Sequence, residues 1–206
     1  MYFVLFVVLS EVFKESGYLM GFYRAIPDRN IFIDRIFKWI IDILVVIVSA
    51  IFFITYFGTQ TKVVGNSMND VLLNGDTVMV NSLCYRIGSP ERYDIIVFHK
   101  KEKNGDKVEY IKRIIGLPGE TVQIKEGKIF VNDKELNNLK SDEKIVNPGL
   151  AKEKIKLDYD EYFVIGDNIN SSEDSRSNTV ANVKLNEIEG KVWLISWPFA
   201  RIKPVK

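Results

Sequence analysis

The stretch from Trp39 to Phe57 reads W-I-I-D-I-L-V-V-I-V-S-A-I-F-F-I-T-Y-F, with Asp42 its only charged residue. No other feature limits the folds open to this chain so strongly. A helix needs roughly 20 apolar residues to cross the hydrocarbon core of a bilayer. A helix apolar on nearly every side is uncommon in a water-soluble domain. Asp42 lies near the start of the run, where its carboxylate reaches the headgroup region. Trp39 at one end and Tyr56 with Phe57 at the other suit a membrane–water interface. The expectation is one transmembrane helix over residues 36–58.

The flanks give that helix a direction. Arg24, Arg29, Arg35 and Lys38 precede the span, and Lys62 is the first basic residue after it. By the positive-inside rule, residues 1–35 form a cytoplasmic segment and residues 59–206 an extracellular domain. The chain then reads as a single-pass protein of the cell membrane. The apolar run is too long for a cleavable leader, and no small-residue cleavage site follows it. Met1–Leu9 is too short to span. Met20 precedes a basic-then-apolar beginning and is the expected natural start.

With 47% hydrophobic residues in 206, the part beyond the span can build one core. A formal net charge of +1 gives no footprint for nucleic acid. The single cysteine, Cys84, forms no internal disulfide. With one cysteine and one histidine, His99, a zinc site of the usual Cys/His type is not expected, and no calcium-loop spacing occurs. No metal or cofactor is expected.

After Thr59 the pattern changes to short β-type runs between turn residues. Asp76–Val80 follows Asn74-Gly75, Tyr93–Phe98 reads as a buried strand, and Val108–Ile115 as another. Thr121–Lys125 and Lys128–Val131 flank Glu126-Gly127 as a hairpin. Glu161–Ile165 and Lys191–Trp197 complete the set, while the charged stretch Lys134–Lys156 reads as a polar surface insertion. The expected fold is mainly β, several short antiparallel strands tethered by one N-terminal helix.

Three elements carry possible chemistry. Ser67 lies in Val63-Val64-Gly65-Asn66-Ser67-Met68, close behind the apolar run. A serine nucleophile needs a base, usually histidine. His99 follows a strand and precedes Lys100 and Lys101, so it reads as exposed and outside catalysis. Lys112 is the other candidate. Strand alternation puts it on one face with Tyr110 and Ile114, an apolar setting that disfavours the ammonium form. A lysine tuned to about 7–8 suits a general base at neutral pH. The third element runs Gly166-Asp167-Asn168-Ile169-Asn170-Ser171-Ser172-Glu173-Asp174-Ser175-Arg176. There Asp174 and Arg176 offer an ion pair, and Ser172 a hydroxyl able to orient a neutral amine. Cys84 reads as a small core residue.

In this order, behind an N-terminal span, the three elements resemble those of type I signal peptidases, the membrane-bound serine–lysine proteases. The likeness covers roughly residues 36–199. The family's serine box, Gly-x-Ser-Met-x-Pro-Thr-Leu, aligns with Gly65, Ser67, Met68 and Leu72. Asp70 and Val71 stand where Pro-Thr is usual. The lysine box, Lys-Arg-x-x-Gly-x-Pro-Gly-Asp, aligns with Lys112, Arg113, Gly116, Leu117, Pro118, Gly119 and Glu120. The late box aligns with Gly166, Asp167, Asn168, Ser172, Asp174, Ser175 and Arg176, with Ile169 in place of a common arginine. Gly65 stands where some members carry an oxyanion-binding serine.

The resemblance implies a signal-peptidase-like β domain that cuts secreted preproteins with small residues at the first and third positions before the cut. Ser67 is then the nucleophile, Lys112 the base, and the Ser67 backbone N–H one oxyanion donor. Ser172 orients Lys112, while Asp174 with Arg176 braces the loop. Trp193, Trp197 and Phe199 dip into the bilayer interface or pack in the core. Two other readings compete: a pilus or surface-protein assembly factor of the same family, and an autoproteolytic regulator of the same serine–lysine type. Retention of both Ser67 and Lys112 weighs against the first, and the anchor against the second.

Overall fold

The computed structural model describes residues 31–57, 59–101, 105–137 and 143–205. Met20 and the Met1–Leu9 stretch lie outside the described residues. Two compact units, Met1–Ile51 and Phe52–Lys206, divide within a long helix.

That helix, α1 (Ile31–Phe57), has 27 residues and is about 40 Å long at 1.5 Å per residue. Most of its described apolar side chains, Phe37, Ile40, Leu44, Val46 and Val48 among them, are exposed, and Val45 is half-buried. Arg35, Lys38 and Asp42 are exposed too. Among the described residues no helix is both long and apolar enough to cross a membrane; the side chains of Phe53–Phe57 fall outside that description.

The second unit is built of strands. In chain order they are β1 (Gln60–Lys62), β2 (Thr77–Asn81), β3 (Ile95–Lys101), β4 (Lys107–Gly116), β5 (Thr121–Lys125) and β6 (Lys128–Val131). Then follow β7 (Lys134–Glu135), β8 (Ile155–Lys156), β9 (Glu161–Ile165), β10 (Val183–Lys184), β11 (Ile188–Trp197) and β12 (Lys203–Pro204). A one-turn helix, α2 (Cys84–Ile87), follows β2. The larger sheet has the order β1-β2-β11-β3-β4-β9-β10, with β12 paired to β11, and the smaller runs β7-β6-β5-β8. Every pairing is antiparallel.

Sequence pattern explains most of these elements. In β2 and β5 every second side chain, Val78, Val80, Val122 and Ile124, turns inward, as a half-buried strand requires. Ile95–Phe98 of β3 is buried at every position. Ile95 and Val97 join one apolar cluster, and Ile96 and Phe98 another. A strand covered on both faces loses its alternation.

Four expectations change. The buried strand starts at Ile95, since Tyr93 takes φ 72 and breaks the extended run. Lys134–Lys156 is no surface insertion throughout. It contains β7, a 3₁₀ turn at Gly149–Lys152 and β8, and places Ile145 and Ala151 in the core; two apolar side chains amid many charges leave no periodic signal. Cys84 is only half-buried, its thiol donating to the Asn81 carbonyl at 3.0 Å. Strand β1 was not foreseen, because an edge strand reading Gln-Thr-Lys buries no full face.

Candidate active site

Ser67 is held in a tight turn whose floor is apolar. Met68 and Leu72, 1% and 0% exposed, sit in a core cluster with Val63, Val78 and Ile111. The Leu72 N–H donates to the Met68 carbonyl at 2.9 Å and the Asn69 N–H to that of Asn66 at 3.2 Å. With its neighbours anchored inward, Ser67 is left half-exposed at the rim. Below the turn, the buried Asp76 carboxylate accepts from the Leu73 N–H and from Arg201 Nε and Nη2 at 2.9, 3.0 and 2.9 Å. Arg201 was not singled out from the sequence, and no local motif marks it 125 residues away.

Lys112 comes from β4, in the middle of the larger sheet and opposite Ile96 of β3. It is 4% exposed. Its Nζ lies 2.7 Å from Ser67 Oγ, to which it donates, and 5.8 Å from the centre of the Tyr110 ring. Burial pushes its pKa down from 10.5 to about 8, although Asp174, Glu173 and Asp167 pull it upward. Desolvation outweighs three carboxylates because the amine is enclosed by protein.

The loop after β9 packs on the serine turn. The Asn168 N–H donates to the Ser67 carbonyl at 3.0 Å, and its side-chain amide to the Asn66 carbonyl at 3.1 Å. Gly166 passes so close that a Cβ there would lie 2.4 Å from the Ser67 carbonyl oxygen and 2.2 Å from Ser172 Oγ. Ser172 Oγ is buried and has no hydrogen-bond partner among the described residues; no bond joins it to Lys112. The expected ion pair forms: Arg176 Nε and Nη2 each donate to the Asp174 carboxylate at 2.8 Å. Asp174 also accepts from the Gly166 N–H at 3.2 Å. Ile169, where the arginine was expected, is 3% exposed and packs into the core.

One buried pair was missed as a functional contact. Arg113 grips the Asp167 carboxylate through Nε and Nη2, both at 2.7 Å, and Nη1 donates to the Tyr93 carbonyl at 2.7 Å. Adjacent to Lys112 and Gly166, it fastens the lysine strand to the late loop. Both residues stand in the quoted boxes, so the signal was present without its pairing.

The Ser67 N–H finds no acceptor among the described residues, which leaves it free to serve an oxyanion. His99 is half-buried rather than exposed, its Nε2 2.8 Å from Glu189 Oε2, and it does not enter the serine–lysine pair. With Glu109 these two form the one described group of metal-ligand types, their donor atoms within 4.8 Å of one another. Trp197 and Phe199 are 51% and 74% exposed and meet edge to face with centroids 4.6 Å apart.

A family model described as signal peptidase, peptidase S26, matches residues 36–197. The chain belongs to this family. It is 35% identical over 180 residues to "Signal peptidase I P" of Bacillus subtilis subsp. natto, covering 84% of this chain and 95% of that protein. It is 34% identical to "Signal peptidase I" of Bacillus caldolyticus, over 80% of this chain and 91% of that protein. "Signal peptidase IB" of Staphylococcus aureus strain COL is 31% identical over 82% and 93%.

Proposed function

We propose that this signal peptidase homologue is a membrane-bound serine endopeptidase that removes signal peptides from secreted preproteins with a Ser67–Lys112 dyad. The observation that carries the reading is the 2.7 Å contact between Ser67 Oγ and a buried amine whose pKa is lowered to about 8. At pH 7 about a tenth of such amines are neutral, enough to act as a base without histidine.

Neutral Lys112 takes the Ser67 proton as Oγ attacks the scissile carbonyl, and an acyl-enzyme forms as the amine product leaves with that proton. Lys112 then deprotonates the water that releases the acyl group. The Ser67 N–H stabilises the oxyanion, a contact whose loss costs about 10²–10³ in rate. Ser172 Oγ, buried without a partner beside Gly166, is assigned as the acceptor that orients Lys112. Asp174 and Arg176 brace its loop.

We assign α1 as the anchor, with residues 36–58 in the bilayer, 1–35 cytoplasmic and 59–206 outside. The unbroken 27-residue helix and the exposure of its apolar side chains support this. The few residues between Phe57 and Ser67 keep the serine near the membrane surface, where a signal peptide's own helix ends. The substrate pairs as an added strand, with small residues at the first and third positions before the cut. A serine-directed acylating inhibitor tests the chemistry. Labelling of wild type that is lost in both Ser67→Ala and Lys112→Met supports the dyad; labelling that survives Lys112→Met removes the base.

A further inference from the structure

We infer that residues 143–151 are a clasp for the late loop, with Gly149 and Asn170 as positioning residues of the Ser67–Lys112 site. This rests on the dyad reading above and extends it to a segment that touches neither dyad residue.

The late loop is gripped at two points on either side of Ser172. At the first, Asn170 Oδ1 accepts from the Val146 N–H at 3.1 Å, and Nδ2 donates to the Lys144 carbonyl and to Glu143 Oε2 at 3.2 and 3.3 Å. At the second, the Leu150 N–H donates to the Arg176 carbonyl at 2.9 Å, and Arg176 Nη1 to the Asn147 carbonyl at 3.3 Å. The clasp is itself seated in the core through Ile145 and Ala151, 5% and 0% exposed, and by the Ile145 N–H on the Gly127 carbonyl at 3.0 Å. At Gly149 no larger residue fits. Its φ is +51, and a Cβ would meet the Arg176 carbonyl oxygen at 2.2 Å.

Ser172 lies between the two grips; its hydroxyl has no hydrogen-bond partner among the described residues, and its carbonyl accepts from Arg176 Nη2 at 3.4 Å. Its position is therefore set by its backbone, through Arg176. Asp174 is held by the same Arg176 that meets the clasp. Glu173, Asp174 and Asp167 are the charged groups that act on Lys112, and the first two lie within the gripped stretch. A loosened loop admits water to Lys112. It weakens the desolvation that dominates its pKa more than the carboxylates that oppose it.

The test compares Gly149→Ala and Asn170→Ala in the full chain, measuring kcat and KM against pH beside thermal unfolding. Misplacing catalytic groups by about 1 Å costs up to about a hundredfold. We expect kcat at pH 7 to fall by about tenfold or more in Gly149→Ala, with KM within about twofold. The limb of the pH profile should move upward from about 8. Asn170→Ala, at an exposed position, should shift the limb in the same direction by less, and Asn170→Asp, which keeps the acceptor for Val146, by less again. A fall that only tracks unfolding, with the limb unmoved, overturns the clasp. A readout independent of cleavage separates this from the dyad reading. In a Ser67→Ala background, the pH midpoint of Lys112 acetylation by acetic anhydride, followed by mass spectrometry, rises on adding Gly149→Ala or Asn170→Ala. An unchanged midpoint in both overturns the inference whatever the substrate.

Discussion

Gly166 and Ser67 meet backbone to backbone: a Cβ on the glycine would stand 2.4 Å from the serine's carbonyl oxygen. That approach seats the late loop on the nucleophile's turn, with the Asn168 N–H on the same carbonyl. Gly166→Ala must push Ser67 and Ser172 apart. Overpacking of this kind costs about 1–3 kcal/mol of stability, and we expect cleavage to fall further than the folded fraction does. Activity per folded molecule, taken from cleavage and circular dichroism at one temperature, checks this.

Lys112 ties activity to pH with a definite sign. Its folded pKa, about 8, lies below the ordinary 10.5, so the neutral base grows as pH rises. kcat/KM should climb through about pH 8 and then level off. A profile flat from pH 6 to 9 contradicts the assignment.

The same shift makes the buried lysine a burden on stability. Between pH 8 and 10.5 the unfolded chain binds more protons than the folded one, so stability rises with pH across that window. Below it the burden is complete and amounts to up to about 3 kcal/mol. Lys112→Met should abolish cleavage yet raise the Tm at pH 7, with the gain shrinking by pH 10. A lowered Tm at pH 7 would contradict this.

Asp70 adopts φ 87, where the proline usual in the family's serine box cannot go, since its ring holds φ near −65°. Installing the family residue should therefore do harm. Asp70→Pro is expected to destabilise by more than about 1 kcal/mol and reduce cleavage, whereas Asp70→Gly keeps both. Thermal unfolding and cleavage of the two variants decide it.

Ser172→Ala separates orientation from packing. The hydroxyl is buried without a partner, so its removal costs almost no stability. If it orients Lys112, kcat falls by about tenfold or more while KM holds. Unchanged kcat would strip Ser172 of that role.

How far the sequence carried the account varies with the kind of contact. Ser67, Lys112, Asp174 and Arg176 were legible because their boxes are contiguous, and alternation alone placed Lys112 with Tyr110 and Ile114. Strands with clean alternation, such as Thr121–Lys125, were found to the residue. Lost were features that depend on distant partners: Arg201 on Asp76, Arg113 on Asp167, and Asn170 on residues 143–146. In Lys134–Lys156 the charges concealed two buried apolar side chains that seat a segment against the late loop. Ile169 looked like a departure from the family and proves to be a core residue.

The central claim is that Ser67 and Lys112 together cut signal peptides. Its most direct test is cleavage of a preprotein with an Ala-x-Ala junction by the detergent-solubilised full chain, beside Ser67→Ala and Lys112→Met. The account predicts a single cut after the second alanine by wild type and none by either variant. Cutting that survives in Lys112→Met, or its absence in wild type across several such preproteins, would contradict it.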